Sequence, residues 1–318
     1  MKKVLITGAL GQIGSELTMR LRKEYGENNV IASGLSKDNG SEEVLQSGPF
    51  EIVDITKEHQ IADAVKKHNV DTIINLAAIL SAVGEAKPGL AWNVNMNGLY
   101  NVLEVARELN SAVFTPSSIA AFGPSTPAKD TPQDTIQRPT TMYGVTKVAG
   151  ELLCDYYFEK YGVDTRGVRF PGLISYKTLP GGGTTDYAVE IYYKAIQEGK
   201  FTCPLDKSTY MDMMYMPDAL DAIINLAEAD PSKLKHRNAF NVTAMSFNPE
   251  DIFASIKKFM PEFNMNYDIN PTLQKIANSW PDSLDDSAAR EEWGWNPKYD
   301  LDSMSKDMLE KLKIKLSK

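Results

Sequence analysis

Tyr143-Gly144-Val145-Thr146-Lys147 sets a phenol and an ammonium four residues apart. On a helix, that spacing puts both on one face. An ammonium beside a phenol favours the phenolate and lowers the phenol pKa from its ordinary value of about 10. The product is a base that works near neutral pH. Taken alone, the spacing is as easily a solvated helix face. Thr115-Pro116-Ser117-Ser118 closes a short apolar run, and Ser118 precedes Tyr143 by 25 residues. A serine there can hydrogen-bond the oxygen of a reacting hydroxyl. Serine, tyrosine and lysine together are far more specific than any one of them.

A second constellation opens the chain. Thr7-Gly8-Ala9-Leu10-Gly11-Gln12-Ile13-Gly14 follows the apolar run Val4-Leu5-Ile6. Its G-x-x-G-x-x-G spacing is one residue longer than the G-x-G-x-x-G fingerprint, and its glycines suit a tight turn, close approach to a pyrophosphate and helix-on-strand packing. A helix starting there offers free N–H groups and a positive dipole end to phosphates. The plain alternative is an ordinary strand-to-helix turn. A dinucleotide site also expects an acid about 20 residues on, for the adenosine ribose. Gly34 stands there, with Asp38 the nearest acid and Ser33, Ser36 and Lys37 around it, so NAD and NADP both stay open. Asp54 ends a third apolar run, where it can accept from an adenine amino group or cap the next helix. Asn75-Leu76-Ala77-Ala78 ends a fourth with small residues that admit a cofactor or a tightly packed helix.

These groups need a scaffold. Strands are expected at 4–6, 30–32, 51–53, 72–76, from 113, and at 165–170. Helices are expected at 12–25, 58–68, 88–109 and 143–161. In the first helix Ile13, Leu17 and Leu21 recur every four residues, and in the second Ile61 and Val65 share a face. Continuous apolar strands alternating with helices predict an α/β fold, a doubly wound parallel sheet of the Rossmann type. Residues 1–170 are expected to form the dinucleotide-binding domain. Residues 171–318 are expected to form a smaller substrate region on the sheet's carboxyl edge, some elements of which can return to the sheet. Helices are expected there at 186–198, 217–229 and 304–316, and Gly181-Gly182-Gly183 is a candidate hinge. The run Met211-Asp212-Met213-Met214-Tyr215-Met216 reads as core, Trp293-Gly294-Trp295 as packing, and Arg290 as a structural salt bridge.

Composition narrows the class. The chain has 318 residues, 34 Lys plus Arg against 42 Asp plus Glu, and a net charge of −8. An acidic chain of pI about 5.1 argues against nucleic acid as its partner. The densest basic cluster, residues 233–237, reads as a solvated loop. Cys154 and Cys203 stand 49 residues apart and the three histidines are scattered, which argues against a disulfide framework and a metal site. With no apolar stretch near 18 residues and no signal-peptide pattern at Met1, a cytoplasmic protein off the membrane is expected. A mean hydropathy of −0.31 fits a globular chain.

The chain resembles the extended short-chain dehydrogenases/reductases, the branch that includes the UDP-galactose epimerases. The matching motifs are the glycine turn, Asn75-Leu76-Ala77-Ala78, Asn95-Met96-Asn97-Gly98, Ser117-Ser118, Tyr143-x-x-x-Lys147 and Arg169-Phe170-Pro171. Within that branch, several segments resemble the epimerase-like L-threonine 3-dehydrogenases: Leu80 to Glu85, Leu179 to Ala188, Tyr215 to Ala219 and Ser279 to Arg290. The resemblance implies NAD-dependent oxidation of the L-threonine β-hydroxyl to 2-amino-3-oxobutyrate, a step of threonine catabolism. Tyr143 would be the base, Ser118 would hold the reacting oxygen, and Lys147 would lower the tyrosine pKa and bind the nicotinamide ribose. Asn95 matches the family's structural asparagine. The cofactor would rest on Gly8, Gly11, Gln12, Ile13, Gly14, Asp54, Ile55, Leu76, Ala77, Ala78, Tyr143, Lys147 and Phe170. Threonine would rest on Ser81, Ser118, Tyr143, Thr184 and Thr185, although either threonine side chain could instead cap the helix that follows. The resemblance also implies a homodimer through the helices at 88–109 and 143–161. A nucleotide-sugar epimerase or dehydratase is the alternative on the same fold, and a non-enzymatic dinucleotide sensor would have no use for the catalytic trio.

Overall fold

The computed structural model describes residues 1–38, 41–177 and 183–317; Gly181 and Gly182 of the candidate hinge lie outside the described residues. Two compact units divide the chain. One comprises Met1–Ala121, Thr140–Arg169 and Leu220–Phe240, and the other Phe122–Pro139, Phe170–Ala219 and Asn241–Lys318.

The first unit is built on six parallel strands in the order Phe50–Ile52, Val30–Gly34, Val4–Thr7, Thr72–Asn75, Ala112–Phe114 and Thr165–Arg166. Counted along the chain, the order is 3-2-1-4-5-6, that of a Rossmann sheet. Register explains why the middles of the inner strands are apolar. Leu5 pairs with Ile31 and Ile73, and Ile73 with Val113, so the four share a face. That face packs with Ile61, Val65, Val102 and Leu103 of two helices. Their neighbours Ile6, Ala32, Ile74 and Phe114 are as deeply buried on the other face. A parallel sheet covered on both sides leaves no polar face.

Gln12–Tyr25 and Glu58–His68 are helices, as the spacing predicts. The helix expected at 88–109 is two α-segments, Pro88–Trp92 and Gly98–Leu109, joined by a π turn at Asn93–Asn97. The sixth strand is also broken. Gly167 separates Thr165–Arg166 from Val168–Phe170, and a Cβ there would lie 2.3 Å from the Thr115 carbonyl oxygen. Glycine is therefore needed to let the neighbouring backbone through.

The cluster at 233–237 is not simply a solvated loop. Arg237 is buried, adopts φ +55°, and lies 4.0 Å over the Phe158 ring. Its Nη2 and that of Arg166 grip the two oxygens of Asp164 at 2.6 and 2.8 Å. Burial alone would raise the Asp164 carboxyl, but hydrogen bonds and charge from Arg166 and Arg237 outweigh it and hold the group below its ordinary range. A depressed folded pKa stabilises above the unfolded value near 3.9, and that stability is lost as pH falls through the folded value. The melting temperature of the wild type is therefore expected to exceed that of Asp164→Asn by a steady margin above about pH 5. The margin should narrow as the pH falls below about 4. A margin that ignores pH across a melting series would refute the electrostatic account.

In the second unit, Met211–Tyr215 pairs antiparallel with Met245–Phe247 and parallel with Gly172–Ile174. Its methionines are fully buried, as expected of core. The helices Tyr187–Glu198, Pro249–Phe259 and Leu301–Leu316 pack around the same core. The last begins three residues earlier than its periodicity suggests, because Asp300 and Ser303 form a reciprocal cap. Trp295 is buried, with Nε1 donating to the Thr243 carbonyl, and Arg290 pairs with Asp286 at 2.7 Å. Cys154 and Cys203 are free and buried, and burial pushes the Cys203 thiol up to about 11. Among the described residues, no helix is long and apolar enough to cross a membrane, and no cluster of side chains could hold a metal ion.

Candidate active site

The glycine turn folds tightly on itself and on the end of the strand Thr72–Asn75. Gly8 has φ +66°, and a Cβ on it would stand 2.8 Å from the Ala77 nitrogen. A Cβ on Gly14 would stand 2.2 Å from the Gly8 carbonyl oxygen. Gly11 is the N-cap of Gln12–Tyr25, and no side chain caps that helix. Gln12 and Ile13 form its first turn, whose leading N–H groups no side chain takes. An uncapped helix start behind a glycine turn is chemically suited to the pyrophosphate of a dinucleotide. Ala9 N–H donates to the Ser33 carbonyl at 2.9 Å and ties the turn to the second strand.

The strand ends are held from beneath. Thr7 Oγ1 donates to Asn75 Oδ1 at 2.6 Å, and Thr115 Oγ1 donates to the Asn75 carbonyl at 3.3 Å. Asp54 Oδ1 accepts from both the N–H and the hydroxyl of Thr56, at 2.9 and 2.7 Å. It therefore closes a turn ahead of Glu58–His68 and does not cap that helix, whose N-cap is Lys57. Ile55 is buried against Gly98, where a Cβ would meet it at 2.5 Å.

One face of the helix Met142–Tyr161 presents Tyr143, Lys147 and Glu151, a turn apart each time. Lys147 Nζ lies 5.4 Å from the Tyr143 ring centroid and donates to the Pro116 carbonyl at 2.7 Å. Glu151 accepts the Ser117 hydroxyl. The helix thus grips residues 116 and 117 from two successive turns, immediately before Ser118 on the short strand Ser117–Ser118. Sequence periodicity ran that strand on from residue 113, but the sheet strand stops at Phe114, ahead of Thr115-Pro116. Proline has no N–H to continue the ladder. Ser118 Oγ accepts the Ala120 N–H at 3.2 Å.

Asn95 fixes the opposite wall. Its Oδ1 accepts the Ile79 N–H at 2.8 Å, and its Nδ2 donates to the Ile79 carbonyl and to Thr146 Oγ1 at 3.0 and 3.1 Å. Asn95 lies in the π turn, a distortion frequent at functional sites. Ser81 opens the short helix Ser81–Ala86, whose Glu85 accepts the Met142 N–H at 2.6 Å. A pocket among these elements is lined by Leu76, Ala77, Ala78, Pro116, Lys147 and Glu151.

Phe170, Thr184 and Thr185 belong to the second unit. Thr184 is buried, and the Thr185 side chain packs where a Cβ on Gly172 would intrude. Neither threonine side chain caps the helix Tyr187–Glu198; Asp186 is its N-cap, and its carboxylate accepts the Gly183 N–H at 2.6 Å.

Glu151 escaped the sequence reading. It is buried and clasped by Arg169, Nε to Oε1 at 3.1 Å and Nη2 to Oε2 at 2.9 Å. The signal was present in the spacing, since Glu151 follows Lys147 by the interval that separates Lys147 from Tyr143. Asn238 also lines the pocket and donates to the Glu151 carbonyl at 3.0 Å, with no motif to announce it.

A 3-2-1-4-5-6 parallel sheet, a glycine turn at its first strand and the motifs above define a Rossmann-fold protein of the extended short-chain dehydrogenase/reductase class. The chain belongs to the NAD dependent epimerase/dehydratase family, whose model matches residues 4–243. It is 58% identical to an uncharacterised epimerase/dehydratase of Staphylococcus aureus, over 99% of this chain and 98% of that one. Among solved structures, it is similar to the L-threonine dehydrogenase of Clostridium difficile. The identity is 63%, the TM-score 0.98, and 99% of this chain and 98% of that one are covered. A GalE-like L-threonine dehydrogenase from Cupriavidus necator, in its holo form, is 48% identical with a TM-score of 0.94, covering 98% of this chain and 99% of that one.

Proposed function

We propose that this protein is an L-threonine 3-dehydrogenase, oxidising the β-hydroxyl of L-threonine to 2-amino-3-oxobutyrate with NAD. The reading is carried by the 63% identity to an L-threonine dehydrogenase along nearly the whole chain. The Tyr143-x-x-x-Lys147 spacing on one helix face supports it, with Lys147 lining the pocket and holding the Pro116 carbonyl two residues before Ser118. A nicotinamide dinucleotide held on the glycine turn and the 76–78 edge supplies the hydride acceptor.

The chain's own residues handle the proton. Tyr143 as phenolate takes the β-hydroxyl proton, and the Ser118 hydroxyl holds the same oxygen as it becomes a carbonyl. The Lys147 ammonium stabilises the phenolate through its charge. Its tether to Pro116 keeps that charge beside the ring. Ser81 is assigned to the zwitterionic end of threonine. A homodimer is part of the proposal, and the apolar side chains left exposed on two helices support it: Leu90, Trp92 and Tyr100 on one stretch, Val145, Leu152 and Tyr156 on the other.

The test is absorbance of the reduced nicotinamide when purified protein meets L-threonine with NAD or with NADP. Reduction dependent on L-threonine is the expected result. No reduction with either dinucleotide, together with turnover of a UDP-sugar, would replace this reading with the nucleotide-sugar one.

A further inference from the structure

We propose that the adenosine-ribose end of the dinucleotide site accepts a 2′-phosphorylated cofactor, because Gly34 withholds the carboxylate that would repel it and Lys37, three residues on, brings positive charge to the ring that borders that position. The inference rests on the dinucleotide reading above and extends it to which dinucleotide is bound.

Gly34 ends the strand beside the one that feeds the glycine turn. An acid at the end of that second strand is what ordinarily takes the ribose hydroxyls. The backbone does not require glycine here. Gly34 is not among the residues with positive φ. A Cβ on it would meet only Phe50 Cζ at 3.5 Å and Leu10 Cδ1 and Cγ at 3.6 and 3.8 Å, all ordinary contacts. The fold thus tolerates a Cβ at this position, so backbone geometry does not demand glycine there.

The Phe50 ring that borders position 34 also carries Lys37, whose Nζ lies 5.8 Å from the ring centroid. Position 34 and the Lys37 ammonium therefore border the same ring. Ser36 Oγ accepts the Asp38 N–H at 3.3 Å and closes the turn that presents Lys37. Ser33 takes no part; it is buried, and its hydroxyl donates to the Ile6 carbonyl at 3.0 Å. Asp38, the nearest acid in sequence, follows Lys37 and is exposed.

Equilibrium titration with NADH and with NADPH, read from nicotinamide fluorescence in the absence of threonine, tests this directly. The wild type is expected to bind NADPH within about tenfold of NADH. Gly34→Asp should weaken NADPH by about thirtyfold or more and spare NADH, since a carboxylate beside a phosphate dianion is repelled. Lys37→Glu, an exposed position that keeps the test valid if Gly34→Asp fails to fold, should weaken NADPH by about tenfold. Wild-type binding of NADPH about a hundredfold weaker than NADH would overturn this inference and leave the dehydrogenase reading standing. So would NADPH affinity indifferent to both substitutions. Binding of neither cofactor would overturn the dinucleotide reading itself.

Discussion

Tyr143→Phe is expected to lower the turnover number with L-threonine by about a thousandfold, the scale of a lost general base. The substitution removes one oxygen and keeps the ring. Lys147 is anchored independently of that oxygen, by the Pro116 carbonyl at 2.7 Å, and its contact with the ring face survives. Asn95 and Thr146 hold the helix start through other atoms, since Thr146 Oγ1 donates to the backbone carbonyl of Tyr143. The melting temperature and NADH affinity should therefore change little. Turnover within about tenfold of the wild type would remove Tyr143 from the role of base. A large drop in melting temperature would instead reveal a structural role.

Arg169→Met should produce the largest loss of stability, about 3–5 kcal/mol, because it removes the cation paired with a buried carboxylate. The Glu151 and Arg169 side chains are only 5% and 7% exposed, so water cannot replace what is removed. The double variant Arg169→Met, Glu151→Leu should recover much of the loss, since a buried ion pair is often no better than apolar residues of like volume. It should not recover activity fully. Ser117 loses its acceptor in the double variant, and one of the two grips that set Ser118 is gone. Denaturant midpoints followed by circular dichroism, alongside turnover, separate the two effects. A single-variant loss below about 1 kcal/mol would contradict a buried carboxylate that depends on Arg169.

Much of this was legible in the sequence because it is local. The first helix fell on Gln12–Tyr25 and the third-strand helix on Glu58–His68 because apolar spacing reports a helix and its buried face without reference to distant residues. The glycine turn was legible for the same reason: three glycines from a strand end into the start of a helix state a backbone requirement, and the clashes a Cβ would make at Gly8 and Gly14 bear it out. Tyr143 and Lys147 declared their shared face by a separation of four. Where local signals compete with geometry, the reading slipped. The strand at 165–170 breaks at Gly167 because the Thr115 backbone passes within reach, and the helix at 88–109 carries a π turn where Asn95 bonds out of it.

By itself, the sequence determined the alternation that makes a parallel sheet, the glycine turn and the Ser118, Tyr143 and Lys147 spacing, all written in short intervals of residue type. Tertiary structure alone decided what those residues lean on. Glu151 meets Arg169 from an adjoining strand, Asn238 arrives at the same helix from 87 residues further along, and Arg237 joins Asp164 across 73. Residues 220–240 return to the first unit while 122–139 leave it. Such partners are chosen by how the chain crosses itself and which buried polar groups must then be satisfied, and no interval along the sequence encodes a crossing.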